Sequence, residues 1–306
     1  MKSQKSDISV TISGYDVIIN NRSTSITIDG GVYNTIGKVR FSDGTTEAGS
    51  QLLNGAFTKQ KAFVLSVSRY ASSQSNLTTR YGSEAVNPEF AQSLANHYWA
   101  VNGIYDRNAT QSASAAALNN FAYSINSGDD VMLLISSHGG NLLDSSGNVR
   151  SDGQNVEVYG GRLGINFGEW NYKNLVDIAP TFDLLSSRAG SSGHVTILME
   201  TCHSGATSNY IWEKGYRNMT VMTSSDYDEE SLQEGYHTSD KEPTHKGFVS
   251  YTEQALSGLA DANLDGYVST TELYQYTASR MNAYSTKSHV QMYDGSNGSY
   301  KYRYLT

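Results

Sequence analysis

A chain of 306 residues with 38% hydrophobic residues and a net charge of −8 has room for one large domain, or one plus a small appendage. It has no basic excess with which to hold a nucleic-acid backbone. One cysteine excludes an internal disulfide framework and a cysteine-rich zinc site. No apolar run approaches the about 18 residues needed to cross a bilayer, and the N-terminus, MKSQKSDISV, lacks the apolar core of a signal peptide. No nucleic-acid or membrane partner is expected, and a cytoplasmic or trimmed secreted location fits.

Residues 7–47 alternate apolar and polar (ISVTI, DVIIN, SITID, KVRF) between turn compositions, the pattern of short strands. They are expected to form a small antiparallel appendage or pro-segment ending near residue 60, with 48–60 as linker. Residues 61–68, KAFVLSVS, predict the first buried strand. Asn87 and Pro88 suit the start of a helix, which the pattern carries to Gly103, and Ser112 opens another that ends at Gly128. Residues 130–140, DVMLLISSHGG, form an apolar strand ending at His138. Residues 155–167 read as a β-hairpin turning at Gly160-Gly161, and TFDLLSSRA as a helix after Pro180. Residues 194–205, HVTILMETCHSG, form a second apolar strand, with Cys202 just beyond its end. A short helix, the strand MTVMTSS, an acidic loop over 226–246, two helices around 261–272, the run HVQMYDG and a tyrosine-rich tail follow. This order predicts an α/β fold with a mostly parallel sheet covered by helices on both faces, whose ligand site lies at the C-terminal strand ends.

His138 and Cys202 both fall at such ends. A cysteine attacks as thiolate and a neighbouring imidazole can take its proton. Acyl transfer also needs backbone N–H donors for the oxyanion, and Gly139-Gly140 lets a main chain approach closely. A lone cysteine is more often a buried small hydrophobe. The two matching strand ends, each followed by a glycine-bearing turn, favour the chemical reading.

The blocks ISSHGG and METCHSG resemble the paired His-Gly and Asp/Glu-x-Cys-x-Ser-Gly signatures of the caspase-like cysteine peptidases, the clan of metacaspases, legumains, clostripain and gingipains. KAFVLSVSRY, MTVMTSSDYDEES and HVQMYDG add looser matches, so the resemblance spans residues 61–295; the Gln-Ala-Cys-x-Gly form of animal caspases is absent. The resemblance implies a caspase-like peptidase domain over 61–306, with His138 as general base, Cys202 as nucleophile and the N–H groups of Gly139 and Cys202 as oxyanion donors. It implies a peptide or protein substrate and no cofactor for the chemistry. It places the residue two before the cysteine in the S1 pocket, where Glu200 would favour Arg or Lys at P1 by charge pairing, with Ser225 and Asp226 adding to the wall. Asn at P1, as in legumains, with peptidase or ligase outcome, is the second choice. Basic specificity would allow self-cleavage of a zymogen after Lys59, Lys61, Lys241 or Lys246. The rival is a catalytically silent calcium-binding or interaction module on the same fold.

The calcium reading comes from residues 261–272, DANLDGYVSTTE. Asp261, Asn263, Asp265, the Tyr267 carbonyl, Ser269 and Glu272 occupy the ligand positions of a twelve-residue EF-hand loop, with Gly266 at its turn. The alternative is an interhelical turn whose Asp and Ser residues cap the next helix. No second such loop is present to pair with it.

Overall fold

The two apolar runs that end at His138 and Cys202 lie side by side. They form β8 (Asp130–Ser136) and β13 (His194–Glu200), parallel and in register from Asp130↔His194 to Ser136↔Glu200. The computed structural model describes residues 60–306 other than 75, 98, 167–174, 286 and 306, together with the backbone pairing of five short strands before them. Of these, β1 (Ile8–Ser13), β2 (Asp16–Asn21) and β3 (Thr24–Ile28) form an antiparallel meander, and β4 (Lys38–Arg40) pairs with β5 (Thr46–Ala48). The rest of residues 1–59, with Lys59, the linker and the expected appendage as a unit, lies outside the described residues.

The central sheet adds β6 (Gln60–Ser66), β7 (Ala100–Tyr105), β14 (Met219–Thr223) and β16 (Gln291–Asp294), in the order β16-β14-β13-β8-β6-β7; only β16 is antiparallel. Successive side chains leave a strand on opposite faces, and both faces are covered, so the strands are apolar throughout. Phe63, Leu65, Leu133, Ile135, Val195 and Ile197 pack beneath α2 (Gln111–Ser124), α3 (Ala179–Ala189) and α4 (Gly205–Lys214). Ala62, Val64, Met132, Leu134 and Leu198 pack beneath α1 (Tyr81–Asn96), α5 (Phe248–Gln254) and α6 (Thr270–Tyr284). Four more strands, β9 (Gly139–Leu143), β10 (Val149–Val158), β11 (Gly161–Ile165) and β12 (Leu175–Asp177), form a side sheet between β8 and α3, with the expected hairpin turning one residue earlier, at Tyr159-Gly160, since Val158 pairs with Gly161. No described helix is long and apolar enough to cross a membrane.

Three more sequence expectations are corrected. The first helix starts at Tyr81, not at Asn87, and Pro88 lies within it. Asn87 is no cap: its Nδ2 donates to Ser66 Oγ and Ser136 Oγ, both at 2.8 Å, while Val86, Phe90, Ala91 and Leu94 bury the face that outweighs the missing proline N–H. That helix stops at Asn96, and residues read as its continuation become β7, which pairs with the otherwise open edge of β6. Lys61 is not an exposed cleavage point. It is buried within β6, and its Nζ lies 2.7 Å from Asp129 Oδ2 and 2.6 Å from Ser124 O.

The lower end of the sheet holds a buried histidine. His194 Nε2 lies 2.9 Å from Thr220 Oγ1, and the ring stacks on Tyr300 at 3.7 Å. Burial pushes its pKa down to about 4, with Asp294 opposing. The folded chain therefore keeps the ring neutral while the unfolded chain takes up a proton. The resulting stability is full above about pH 6.5 and lost as pH falls through about 4, amounting to roughly 3 kcal/mol. Urea denaturation across this range should show the loss and His194→Gln should flatten it; an equal slope in the variant would place the acid sensitivity elsewhere.

Candidate active site

The chain order turns back between β6 and β8, since β7 follows β6 outward and the chain then returns to the opposite side of β6. Crevices open at the C-terminal ends of strands at such a switch point. Because β8 and β13 end level at Ser136↔Glu200, His138 and Cys202, each two residues further, emerge together. Gly139 closes the gap. A Cβ there would lie 2.5 Å from the Cys202 carbonyl oxygen and 3.0 Å from Thr201 Cβ, room that only glycine leaves. The N–H of Ser231, at 3.4 Å, and the N–H of Gly139 are directed at the Cys202 sulfur.

His138 is held on two sides. Its Nε2 lies 3.1 Å from the Thr78 carbonyl, which only accepts, so Nε2 carries the proton and Nδ1 is left as the base. Its backbone N–H donates to the Tyr70 hydroxyl at 2.7 Å, and the two rings lie 5.1 Å apart. The Tyr70 hydroxyl in turn donates to Val67 O at 2.9 Å. Burial lowers the His138 pKa and the Arg80 charge adds to this, against the Thr78 bond. Burial raises the Cys202 thiol, while Ser231, Arg80 and Gly139 pull it the other way. Both shifts favour the neutral thiol and the neutral imidazole.

The turn after the cysteine is tightly built. His203 has φ 63°, a left-handed conformation rare for a side chain of its size. It is fixed by its N–H on Glu229 O at 2.8 Å and by Nδ1 at 3.1 Å from Tyr227 O. Buried Gln154, with its amide directed at the carbonyls of Cys202 and His203 at 3.0 and 3.1 Å, supports the turn from β10. Ser225 N–H donates to Ser204 Oγ at 3.1 Å, and Ser225 Oγ donates to Thr201 O at 3.2 Å. The expectation that Ser225 lines a pocket is therefore corrected: it is fully buried as a clasp between the end of β14 and the turn. Asp226 is half-buried and turns back on the Tyr227 N–H at 2.6 Å.

Glu200 also departs from expectation. It does not offer a free carboxylate to a basic side chain, because it is 0% exposed and paired with Arg80, whose Nη2 lies 2.8 Å from Oε2. Ser136 Oγ donates to the same oxygen at 2.5 Å, and Arg80 Nη1 donates to Ser136 Oγ at 3.0 Å. Two buried atoms of this pair are unpartnered, Arg80 Nε and Glu200 Oε1. Arg80, Thr78 and Tyr70 escaped the sequence reading, as did Ser231. They lie in irregular segments, and a backbone carbonyl or N–H leaves no residue-type signal.

A cleft of about 630 Å³ is lined by Gln74, Leu77, Asn141, Asn155, Glu157 and Arg162 among others, and neither His138 nor Cys202 lines it. The Glu157 N–H donates to His138 O at 2.8 Å.

The 261–272 loop lies apart, between a π-turn (Ala255–Leu259) and α6. Gly266 has φ 84°, as its turn position predicts. Asp261 accepts from the N–H groups of Asp265 and Gly266 at 3.2 and 3.0 Å and from the Tyr304 hydroxyl. Asn263 Oδ1 accepts from Asp265 N–H at 2.9 Å, and Asp265 Oδ2 pairs with the Lys301 ammonium. Glu272 closes a capping box with Ser269. Tyr267 begins β15 (Tyr267–Ser269), which pairs with β17 (Lys301–Arg303) rather than with a second loop of its kind. As they stand, no three acidic, histidine or cysteine side chains among the described residues converge to hold a metal.

No protein-family model matches the chain, and no curated protein matches it. Among solved structures it is similar to protein GSU0716 from Geobacter sulfurreducens, with 14% identity and a TM-score of 0.48 over 76% of this chain and 92% of that one.

The electrostatics of the pair can be read directly. Alkylation of native Cys202 by iodoacetamide should reach its half-maximal rate at a higher pH than in the urea-unfolded chain, because burial raises the thiol. A midpoint at or below the unfolded value would mean that the resting site is a thiolate–imidazolium pair.

Proposed function

We propose that the chain is a caspase-like cysteine endopeptidase, with residues 61–306 as the peptidase domain and the N-terminal strands as an appendage or pro-segment. The observation that carries this reading is the convergence of Cys202, a His138 whose Nε2 is tied to Thr78 O, and the Gly139 N–H at the level ends of β8 and β13. His138 Nδ1 takes the thiol proton as the sulfur attacks the scissile carbonyl, and the oxyanion forms against the N–H groups of Gly139 and Cys202. Collapse expels the amine, which receives the proton from His138. Water, deprotonated by the same nitrogen, then hydrolyses the thioester.

The Arg80–Glu200 pair shifts the expected P1 preference. If the S1 pocket lies on Glu200, as the resemblance implies, a basic side chain would add a second cation beside Arg80. Arg80 and Glu200 are buried at 2% and 0% exposure, so their unpartnered atoms are no more open to a carboxamide than to a cation. Arg, Lys and Asn therefore stand level as proposed P1 residues.

Calcium binding at residues 261–272 is proposed as a separate, structural property. The oxygen donors of Asp261, Asn263, Asp265, Ser269 and Glu272 and the Tyr267 carbonyl suit a hard cation. When bound, the ion would rigidify the loop and take no part in the cleavage. Lys301 would have to leave Asp265 first.

Two measurements test these readings. At least one of the fluorogenic peptides ending in Asn, Asp, Arg or Lys should be cleaved, and Cys202→Ala or His138→Ala should lower the rate by roughly a thousandfold or more. Turnover of none of them, with Cys202 inert to alkylation, would leave a silent interaction module as the better account. Calcium at about 1 mM should raise the melting temperature, Glu272→Gln should abolish that rise, and Lys301→Ala should lower the calcium concentration required. No shift in the wild-type protein would refute the calcium site.

A further inference from the structure

We propose that Tyr81 and Tyr236 form a cation subsite for a lysine or arginine side chain of the substrate, at a position other than P1, and that the chain's own Lys241 fills it in this structure. The assignment to a substrate residue rests on the peptidase reading; the cation site itself does not. Tyr81 opens α1 directly after Arg80, and Tyr236 follows a segment packed against the same helix. A Cβ on Gly82 would lie 2.6 Å from the carbonyl oxygens of both Glu234 and Gly235. The two rings meet edge to face, with centroids 5.3 Å apart at 66°. The Lys241 ammonium lies 5.0 Å from the Tyr81 centroid and 4.7 Å from that of Tyr236, inside the about 6 Å over which a ring face attracts a cation.

The loop that carries Lys241 is built to deliver it. His237 N–H donates to Glu242 O at 2.8 Å, Lys241 N–H to His237 O at 2.9 Å and Thr244 N–H to Gly235 O at 2.8 Å, while Tyr236 bridges to Pro243. Lys241 itself has φ 66°, a left-handed conformation that side chains other than Asn, Asp and Gly adopt rarely. The loop thus folds its lysine, exposed as it is, back over the rings. Both tyrosines remain over a third exposed, at 36% and 39%, so an incoming side chain can reach them once Lys241 withdraws.

Location ties the rings to the reactive centre. The chain leading into Tyr81 supplies the Thr78 carbonyl to His138 and the Arg80 guanidinium to Glu200. The chain leading into Tyr236 supplies the Ser231 N–H to the Cys202 sulfur. A peptide lying across Cys202 has both segments as its walls, and the aromatic pair stands where they meet. The ligand class follows from the occupant already there: a primary ammonium, or the guanidinium that binds ring faces in the same way.

The test uses the full chain and Lys241→Met, which keeps the stem and removes the charge. In the first arm, n-butylammonium and n-butylguanidinium are titrated while the Tyr81 and Tyr236 ring signals are followed by NMR, assigned through single Tyr→Phe variants, with n-butanol as the uncharged control. Both cations should perturb these two rings in Lys241→Met at concentrations at least about fivefold lower than in the wild type, and a Tyr81→Leu/Tyr236→Leu variant should lose the response. Equal midpoints with and without Lys241, or shifts that n-butanol reproduces, would overturn the cation site. In the second arm, two peptides matched except for lysine or norleucine upstream of P1 are compared. Lys241→Met should lower KM for the lysine peptide about fivefold and leave the norleucine peptide and both kcat values unchanged; equal changes for the two peptides would overturn the substrate assignment. Absence of turnover with any peptide counts against the peptidase reading, and the first arm then decides the cation site alone.

Discussion

The buried pair of Arg80 and Glu200 is the contact on which the arrangement around Cys202 depends. Glu200 ends β13, Ser136 ends β8, and Arg80 comes from the irregular chain between β6 and α1. Removing two charges from water is costly, and only close pairing with further hydrogen bonds offsets the cost. The pair therefore forms only when all three segments are in place. Arg80 anchored on Glu200 draws the preceding Thr78 carbonyl to His138. The same guanidinium opposes protonation of His138 and favours the Cys202 thiolate. One ion pair thus links strand register, the tautomer of His138 and the charge balance around Cys202.

Around that anchor, the groups that hold His138 and Cys202 are mostly main chain. Thr78 O, Ser231 N–H and Gly139 N–H meet the imidazole and the sulfur directly. Ser204, Ser225 and Gln154 lock the turn in which Cys202 sits. Backbone donors and acceptors have fixed positions once the strands are paired. The tilt of His203 into the left-handed region is the local strain such a turn requires, and the Glu229 and Tyr227 carbonyls over-determine it.

The segment that returns over the site, from Asp226 to Gly247, gives the protein its individual character. It contributes Ser231 to the sulfur, Glu234 to the edge of α1 and Lys241 to the tyrosine pair. Its acidic composition reads as a solvated loop, yet Glu234 is buried, with its carboxylate on Lys246 N–H at 2.7 Å and Ser250 Oγ at 2.8 Å. The loop is held by these polar contacts together with Leu232, which packs against the core.

By itself, the sequence determined the strands that matter most. Uninterrupted apolar runs over β6, β8 and β13 can only be strands covered on both faces, and the polar turns that end them mark where His138 and Cys202 must emerge. The single cysteine and the Gly-Gly after His138 were legible for the same reason, since residue type alone carries the chemistry. The tertiary structure decided what depends on partners far apart in the chain. It made β7 of residues that look helical, because the edge of β6 had an open row of hydrogen-bonding groups. It carried α1 through Pro88, because the buried face outweighed one lost bond. It turned Glu200 from a free carboxylate into half of an ion pair 120 residues long in sequence, and it brought Lys241 to Tyr81. A charge shows in the sequence, but its partner is chosen by folding, because electrostatic energy depends on distance in space and not along the chain.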